Sequence, residues 1–188
     1  MTRRTLKRSW KWFFEKNRIP YSAMPASIPQ KPSKKHMLVI VPAGVTFAQI
    51  CTTFENTLAR EGIGTESCAR GRTLPERITQ NIRTNEEGAY GLWVERHVKE
   101  KQDGTLFRKN ANGMSRFDAK MTVLEGFLYH LKMMDEYGVR RYLNTMNGDC
   151  HACTGSRGMS IDGISEQIPW LRWDIHDLTV RVTWHTLP

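Results

Sequence analysis

Residues 37–62 read MLVIVPAGVTFAQICTTFENTLAREG, and this stretch decides the fold class. Met37-Leu38-Val39-Ile40-Val41 is an apolar run of strand length, ended by Pro42-Ala43-Gly44. Thr46 and Gln49 then stand three apart. In this capping-box pattern a hydroxyl and an amide satisfy backbone N–H groups at a helix start. Phe47, Ile50, Cys51, Phe54 and Leu58 recur along one helical face, and Gly62 supplies a stop. A buried strand that runs straight into an amphipathic helix predicts a mixed domain. The apolar run from Met37 to Ala48 is broken by Pro42 and Thr46 and is too short to cross a bilayer.

Beyond this stretch, Thr73 with Glu76 repeats the capping pattern and predicts a shorter helix with Ile78 and Ile82 facing inward. Tyr90, Leu92, Val94 and Val98 recur at even positions, as in a strand, and Asp103-Gly104 can turn the chain back through 105–109. The longest helix is expected from about Phe117 to Tyr137, with Met121, Leu124, Leu128, Leu131 and Met134 or Asp135 on its inner face and Gly138 as its stop. A Gly- and Ser-rich loop follows. The chain closes with a hairpin, Trp170–Trp173 turning through 174–177 into Leu178–His185. The expected architecture is α+β. Residues 36–188 form a single domain with a small, mainly antiparallel sheet, one long helix, two shorter ones and the C-terminal β-hairpin.

Residues 1–35 form a basic, aromatic N-terminal arm with a Pro-rich linker. The formal net charge is +9, and the whole excess lies before residue 36. There Arg3, Arg4, Lys7, Arg8, Lys11, Lys16, Arg18, Lys31, Lys34 and Lys35 oppose only Glu15, while residues 36–188 carry eighteen cations and eighteen acids. Leu6, Trp10, Phe13 and Phe14 share one face of a helix over 3–18 that Pro20 ends, and prolines 20, 25, 29 and 32 predict an extended linker. Three readings fit such an arm. Lysine and arginine release counterions on meeting phosphates, and Trp10 and Trp12 could stack on unpaired bases. The same pattern suits a helix lying on an anionic membrane surface. The third reading docks the apolar stripe on the protein's own domain. A second group, Arg70, Arg72, Arg77 and Arg83, is offset by Glu66, Glu76, Glu86 and Glu87 and reads as a solvated face.

Cys150-His151-Ala152-Cys153 is the most chemical segment, since thiolates two residues apart can chelate zinc. A complete site needs two more ligands, from His151, Cys68, His97 or His130, and no second paired motif supplies them. The continuation Thr154–Gly158 reads as flexible rather than as the helix a redox dithiol requires. We therefore expect a surface loop with two reduced cysteines, no metal and no cofactor. Asp149, Asp162, Glu166, Asp174 and Asp177 gather late in the chain, but acids in turns have backbone reasons to be there. P-loop, G-x-S-x-G and G-x-G-x-x-G motifs are absent.

The functional expectation is a nucleic-acid-associated binding or structural protein, such as a ribonucleoprotein or virion component. RNA or single-stranded DNA is preferred over duplex because aromatics accompany the charges. Its contact residues are Arg3, Arg4, Lys7, Arg8, Trp10, Lys11, Trp12, Lys16, Arg18, Lys31, Lys34 and Lys35. The alternative is an enzyme acting on nucleic acid with the late carboxylates or the Cys150/Cys153 segment at its centre, and a membrane-surface or targeting role ranks third. Four cysteines in 188 residues point to a reducing, cytoplasmic setting. An Arg-rich, acid-poor N-terminus would also fit the mitochondrial matrix.

Overall fold

The computed structural model describes residues 2–66, 78–96, 98–102, 106–108, 114–116, 120–146, 150–152, 156–159, 166–174 and 179–186. Strand β1 (His36–Val41) pairs antiparallel with β4 (Tyr90–Glu95), in a register from His36 opposite Glu95 to Val41 opposite Tyr90. Five of the six β1 residues are buried. A strand covered on both faces reads as a continuous apolar run, which is why alternation is absent from residues 37–41. After β1 the chain turns at Gly44, whose φ of +79° is open to glycine at little cost. A side chain there would also press on Ser22.

Helix α2 (Phe47–Ala59) begins with the expected capping box: Gln49 N–H donates to Thr46 Oγ1, and Thr46 N–H donates to Gln49 Oε1. Ile50, Cys51, Phe54 and Leu58 are buried as predicted, and Phe54 meets Phe127 at 4.5 Å between ring centres. The long helix is α3 (Val123–Tyr137), and Gly138 follows it at φ +83°. Thr122 caps it and Glu125 closes a second capping box, so the helix proper begins later than the periodicity alone suggests. Eleven of its fifteen residues are buried, so α3 is enclosed on all sides rather than along one stripe. Helix α4 (Val139–Met146), which the sequence reading does not anticipate, turns back with Tyr142, Leu143 and Met146 inward.

The first 35 residues share this core. Helix α1 (Arg3–Lys16) opens with Thr2 Oγ1 accepting from Thr5 N–H and buries Trp10, Phe13 and Phe14. These belong to one apolar cluster with β1, α2, α3 and α4. The Trp10 indole N–H donates to the Leu38 carbonyl at 3.0 Å, as a buried indole requires. The proline segment is extended and fastened at three points. Ala23 bridges Ala43, Ile28 is buried, and Trp93 Nε1 donates to the Pro29 carbonyl at 2.9 Å. The division at residue 35 is thus one of charge, while apolar residues on both sides of it pack together.

The larger sheet runs in the order β2 (Gly64–Glu66), β11 (Thr179–Thr186), β10 (Glu166–Asp174), β8 (Cys150–Ala152), β7 (Met114–Arg116). β9 (Ser156–Met159) also pairs with β10, and β3 (Ile78–Asn81) pairs with β9. Among the described strands β2–β11 and β7–β8 are the parallel pairs. β5 (Val98–Glu100) and β6 (Leu106–Arg108) pair antiparallel as the expected return of the chain requires, Asp103 and Gly104 themselves lying outside the described residues. The α+β class and the antiparallel β10–β11 ending match the sequence reading. Three local expectations are corrected. Residues 78–81 are strand rather than the end of a short helix, and Ile82 is exposed. Cys150-His151-Ala152 is an inner strand between β7 and β10, and 156–159 is strand too, so neither is loop. Ladder hydrogen bonding on both sides prevailed there over the turn-like composition.

Candidate nucleic-acid interface

Helix α1 is amphipathic, and its two faces have different fates. The inner face holds Trp10, Phe13 and Phe14, with rings 5.3 to 5.6 Å apart. The outer face presents Arg3, Arg4, Arg8, Lys11 and Trp12 to solvent. At 1.5 Å rise per residue, Arg4, Arg8 and Trp12 lie about 6 Å apart along one line. Arg3, Arg4 and Arg8 have no ion-pair partner among the described residues. Lys11 stands 3.7 Å from Glu15 with both side chains more than half exposed, a contact of little energetic weight. Trp12 is 54% exposed, an unusual position for an indole, and Lys16 Nζ sits 4.8 Å from its ring centre. A rigid helix thus displays cations and an aromatic ring together.

The remaining expected contact residues divide. Trp10 is 2% exposed and hydrogen-bonded inward, so no base can stack on it in this fold. This corrects its place in the predicted contact set: at i and i+4 with Leu6 and Phe14, the apolar stripe claimed it. Lys7 donates to the Pro25 carbonyl at 2.6 Å and ties α1 to the proline segment, while Lys16 pairs with Asp135 and ties it to α3. Arg18 is exposed at φ +54°, just past the helix. Lys31 lies over the Trp93 ring at 5.3 Å, and Lys34 and Lys35 are exposed beside it.

A second arrangement corrects the sequence reading of Arg83, which belongs to a buried pair and not to a solvated face, while Arg70, Arg72 and Arg77 lie outside the described residues. Glu125 is completely buried at the start of α3. Its carboxylate accepts from Arg83 Nε at 2.7 Å, Arg83 Nη2 at 2.8 Å, Tyr90 Oη at 2.8 Å and the Thr122 N–H at 2.7 Å. The hydrogen bond to Glu125 holds the Arg83 guanidinium more firmly protonated than usual. Burial first, then the Glu125 charge, pushes the Tyr90 phenol well above its ordinary range. The group borders a cleft of about 660 Å³ between the N-termini of α2 and α3. Four donors fill the acceptor positions of this carboxylate, so it is a clamp and not an available acid or base. Only Thr122-x-x-Glu125 signalled it in the sequence, as a capping box. The two long-range partners, Arg83 and Tyr90, left no local signature.

Among the described residues no three His, Cys, Asp or Glu side chains gather as a metal site would require. Cys68, His97 and Cys153 lie outside the described residues, and Cys150 and His151 occupy strand β8. His130 is buried in α3 with Nδ1 2.7 Å from the Tyr142 hydroxyl. Of the late carboxylates, Glu166 and Asp174 sit at opposite ends of β10, about 26 Å apart at ~3.3 Å per residue. Asp149, Asp162 and Asp177 lie outside the described residues. No helix among the described residues is long and apolar enough to cross a membrane. Comparison with family models, with curated proteins and with solved structures finds no match.

Proposed function

We propose that the protein binds nucleic acid, RNA or single-stranded DNA, along the outward face of α1 and the adjoining segment 31–35. The observation that carries this reading is the division of α1. Trp10, Phe13 and Phe14 anchor the helix while Arg3, Arg4, Arg8 and Lys11 face water beside an exposed Trp12. An anchored helix meets a polyanion with its cations already placed, so less ordering opposes binding than for a loose arm. Trp12 offers the flat face on which an unpaired base stacks, a contact that duplex DNA does not provide. The membrane reading loses support from the same geometry. Interfacial binding needs an apolar face to insert, and that of α1 is inside the protein.

The test compares ligands on the full chain at equal salt: a single-stranded RNA of about twelve nucleotides, a duplex DNA of equal charge, and vesicles with anionic lipid. Single strand is expected to bind tightest. Trp12→Ala should weaken it by about 1–3 kcal/mol while leaving duplex binding unchanged. Preference for vesicles over both nucleic acids would reverse the reading.

A further inference from the structure

Behind the inner edge of α1 lies a smaller cavity of about 310 Å³, enclosed by α1, the segment 31–38, the end of β4 and α3. Its charged lining is Lys31, Lys34, Arg96, Lys132 and Glu136, with His36 beside them. Lys132 is almost wholly buried and Arg96 about one-third exposed, whereas Lys31 and Lys34 are exposed. One cation therefore stands deep, one is half-buried and two lie at the mouth. Glu136 is shared, 3.4 Å from Arg96 and 4.0 Å from Lys132. Asp135 meets Lys132 at 3.4 Å but also holds Lys16, so it adds no net negative charge. Even if Glu95, which pairs across from His36, is counted with Glu136, two positive charges remain in excess before any on His36.

The walls between these cations are aromatic. Trp10 and Trp93 both line the cavity, and the Trp93 indole is held by its bond to Pro29. The inner cations have internal partners, Asp135 and Glu136 for Lys132, Glu136 and the Tyr137 hydroxyl for Arg96, so the excess stands on Lys31 and Lys34 at the mouth. A phosphomonoester carries about −1.5 to −2 charge at pH 7, which matches the excess. A planar base matches the Trp93 side of the cavity, since Trp10 is closed to stacking. The volume lies near the lower end of the ligand-pocket range, about 300–1,000 Å³, and admits one such unit but not a run of them. We infer that this cavity takes a single nucleoside monophosphate unit, phosphate toward Lys31, Lys34 and Arg96, either as a free nucleotide or as the 5′-terminal residue of a strand. The choice of a nucleotide over other aromatic phosphates rests on the nucleic-acid reading of α1.

Two titrations of the full chain separate the sources. Adenosine 5′-monophosphate is compared with adenosine by calorimetry, and an oligoadenylate carrying a 5′-phosphate with its 5′-hydroxyl counterpart. The monophosphate is expected to bind at one site at least about tenfold tighter than the nucleoside (~1.4 kcal/mol). Lys31→Ala with Lys34→Ala, both exposed positions, should erase that advantage, while Arg4→Ala with Arg8→Ala should not. A comparable preference for the 5′-phosphorylated strand assigns a strand end, and its absence alongside tight monophosphate binding assigns a free nucleotide. If the phosphate confers no advantage in either pair, the cavity assignment is overturned, even where the oligonucleotide binds through α1. Monophosphate binding without any oligonucleotide binding would instead keep the cavity and remove the reading of α1.

Discussion

Helices α1 and α3 are nearly equal in length, and both carry charged residues among aromatics, but they handle the charge in opposite ways. In α3, Glu125 and Lys132 are buried and both are matched: Glu125 by Arg83 and Tyr90 from elsewhere in the fold, Lys132 by Asp135 one turn along the same helix and by the Trp10 and Phe13 rings of α1. In α1, Arg3, Arg4, Arg8 and Lys11 are exposed, and the one acid among them, Glu15, makes only a loose contact. Buried charge whose partners are all internal fixes how the elements meet. Exposed cations without acids contribute almost nothing to the fold, and they remain available to a partner. The difference separates the charges whose removal should unfold the protein from those whose removal should affect only the proposed binding.

The largest effect should come from deleting residues 1–35. The loss of Trp10, Phe13, Phe14, Ile19 and Ile28 opens the core over β1, and the remainder should lose its cooperative thermal transition. A truncated chain that melts like the full one would make α1 an appendage and break the comparison. Next, Glu125→Ala leaves Arg83 without its buried partner and should cost about 3–5 kcal/mol by denaturant unfolding. Trp10→Ala belongs in the same range, about 3–5 kcal/mol, whereas Trp12→Ala on the opposite face should change stability by less than about 0.5 kcal/mol.

A smaller effect sharpens the account of α3. Tyr90→Phe removes one donor to the buried carboxylate and should cost about 1.5–3 kcal/mol near neutral pH, as hydrogen bonds to charged groups do. The native phenol keeps its proton where an unfolded tyrosine loses it, near pH 10. This contribution is therefore whole below about pH 10 and falls as pH rises further, so the stability gap between the parent protein and the Tyr90→Phe variant should narrow in strong alkali. Smallest of all, Lys11→Ala should alter stability by no more than about 0.5 kcal/mol, because its pair with Glu15 is solvated.

Legibility in the sequence followed the range of the interaction. Helix α2 was readable because its cap, its apolar face and its stop lie within seventeen residues, Thr46 to Gly62. Strand β1 and the β5–β6 hairpin were readable for the same local reason. Helix α3 is legible as a helix, but its start and its surroundings are not. Periodicity reports where apolar residues recur, and it cannot show that Arg83 and Tyr90 arrive from 42 and 35 residues away to accompany a buried glutamate. Strands β8 and β9 were hidden because Gly, Ser and Cys composition suits a loop and only pairing across the sheet makes them strands. At the candidate interface, charge was fully legible and orientation was not. The same stripe that predicted an amphipathic helix held Trp10, and only the fold shows that this indole faces inward while Trp12 faces out.

The salt dependence of single-stranded RNA binding tests the central claim most directly, measured on the full chain and on Arg4→Ala/Arg8→Ala/Lys11→Ala with unfolding followed in parallel. If the exposed cations of α1 and segment 31–35 neutralise about four to seven phosphates, log K should fall against log salt with a slope of about −3 to −5. The triple variant should lose about 0.7 of slope per residue removed and keep the melting temperature of the parent. A variant that binds with unchanged affinity and slope, or one that fails to bind only because it has unfolded, would contradict the separation of an inner structural face from an outer binding face.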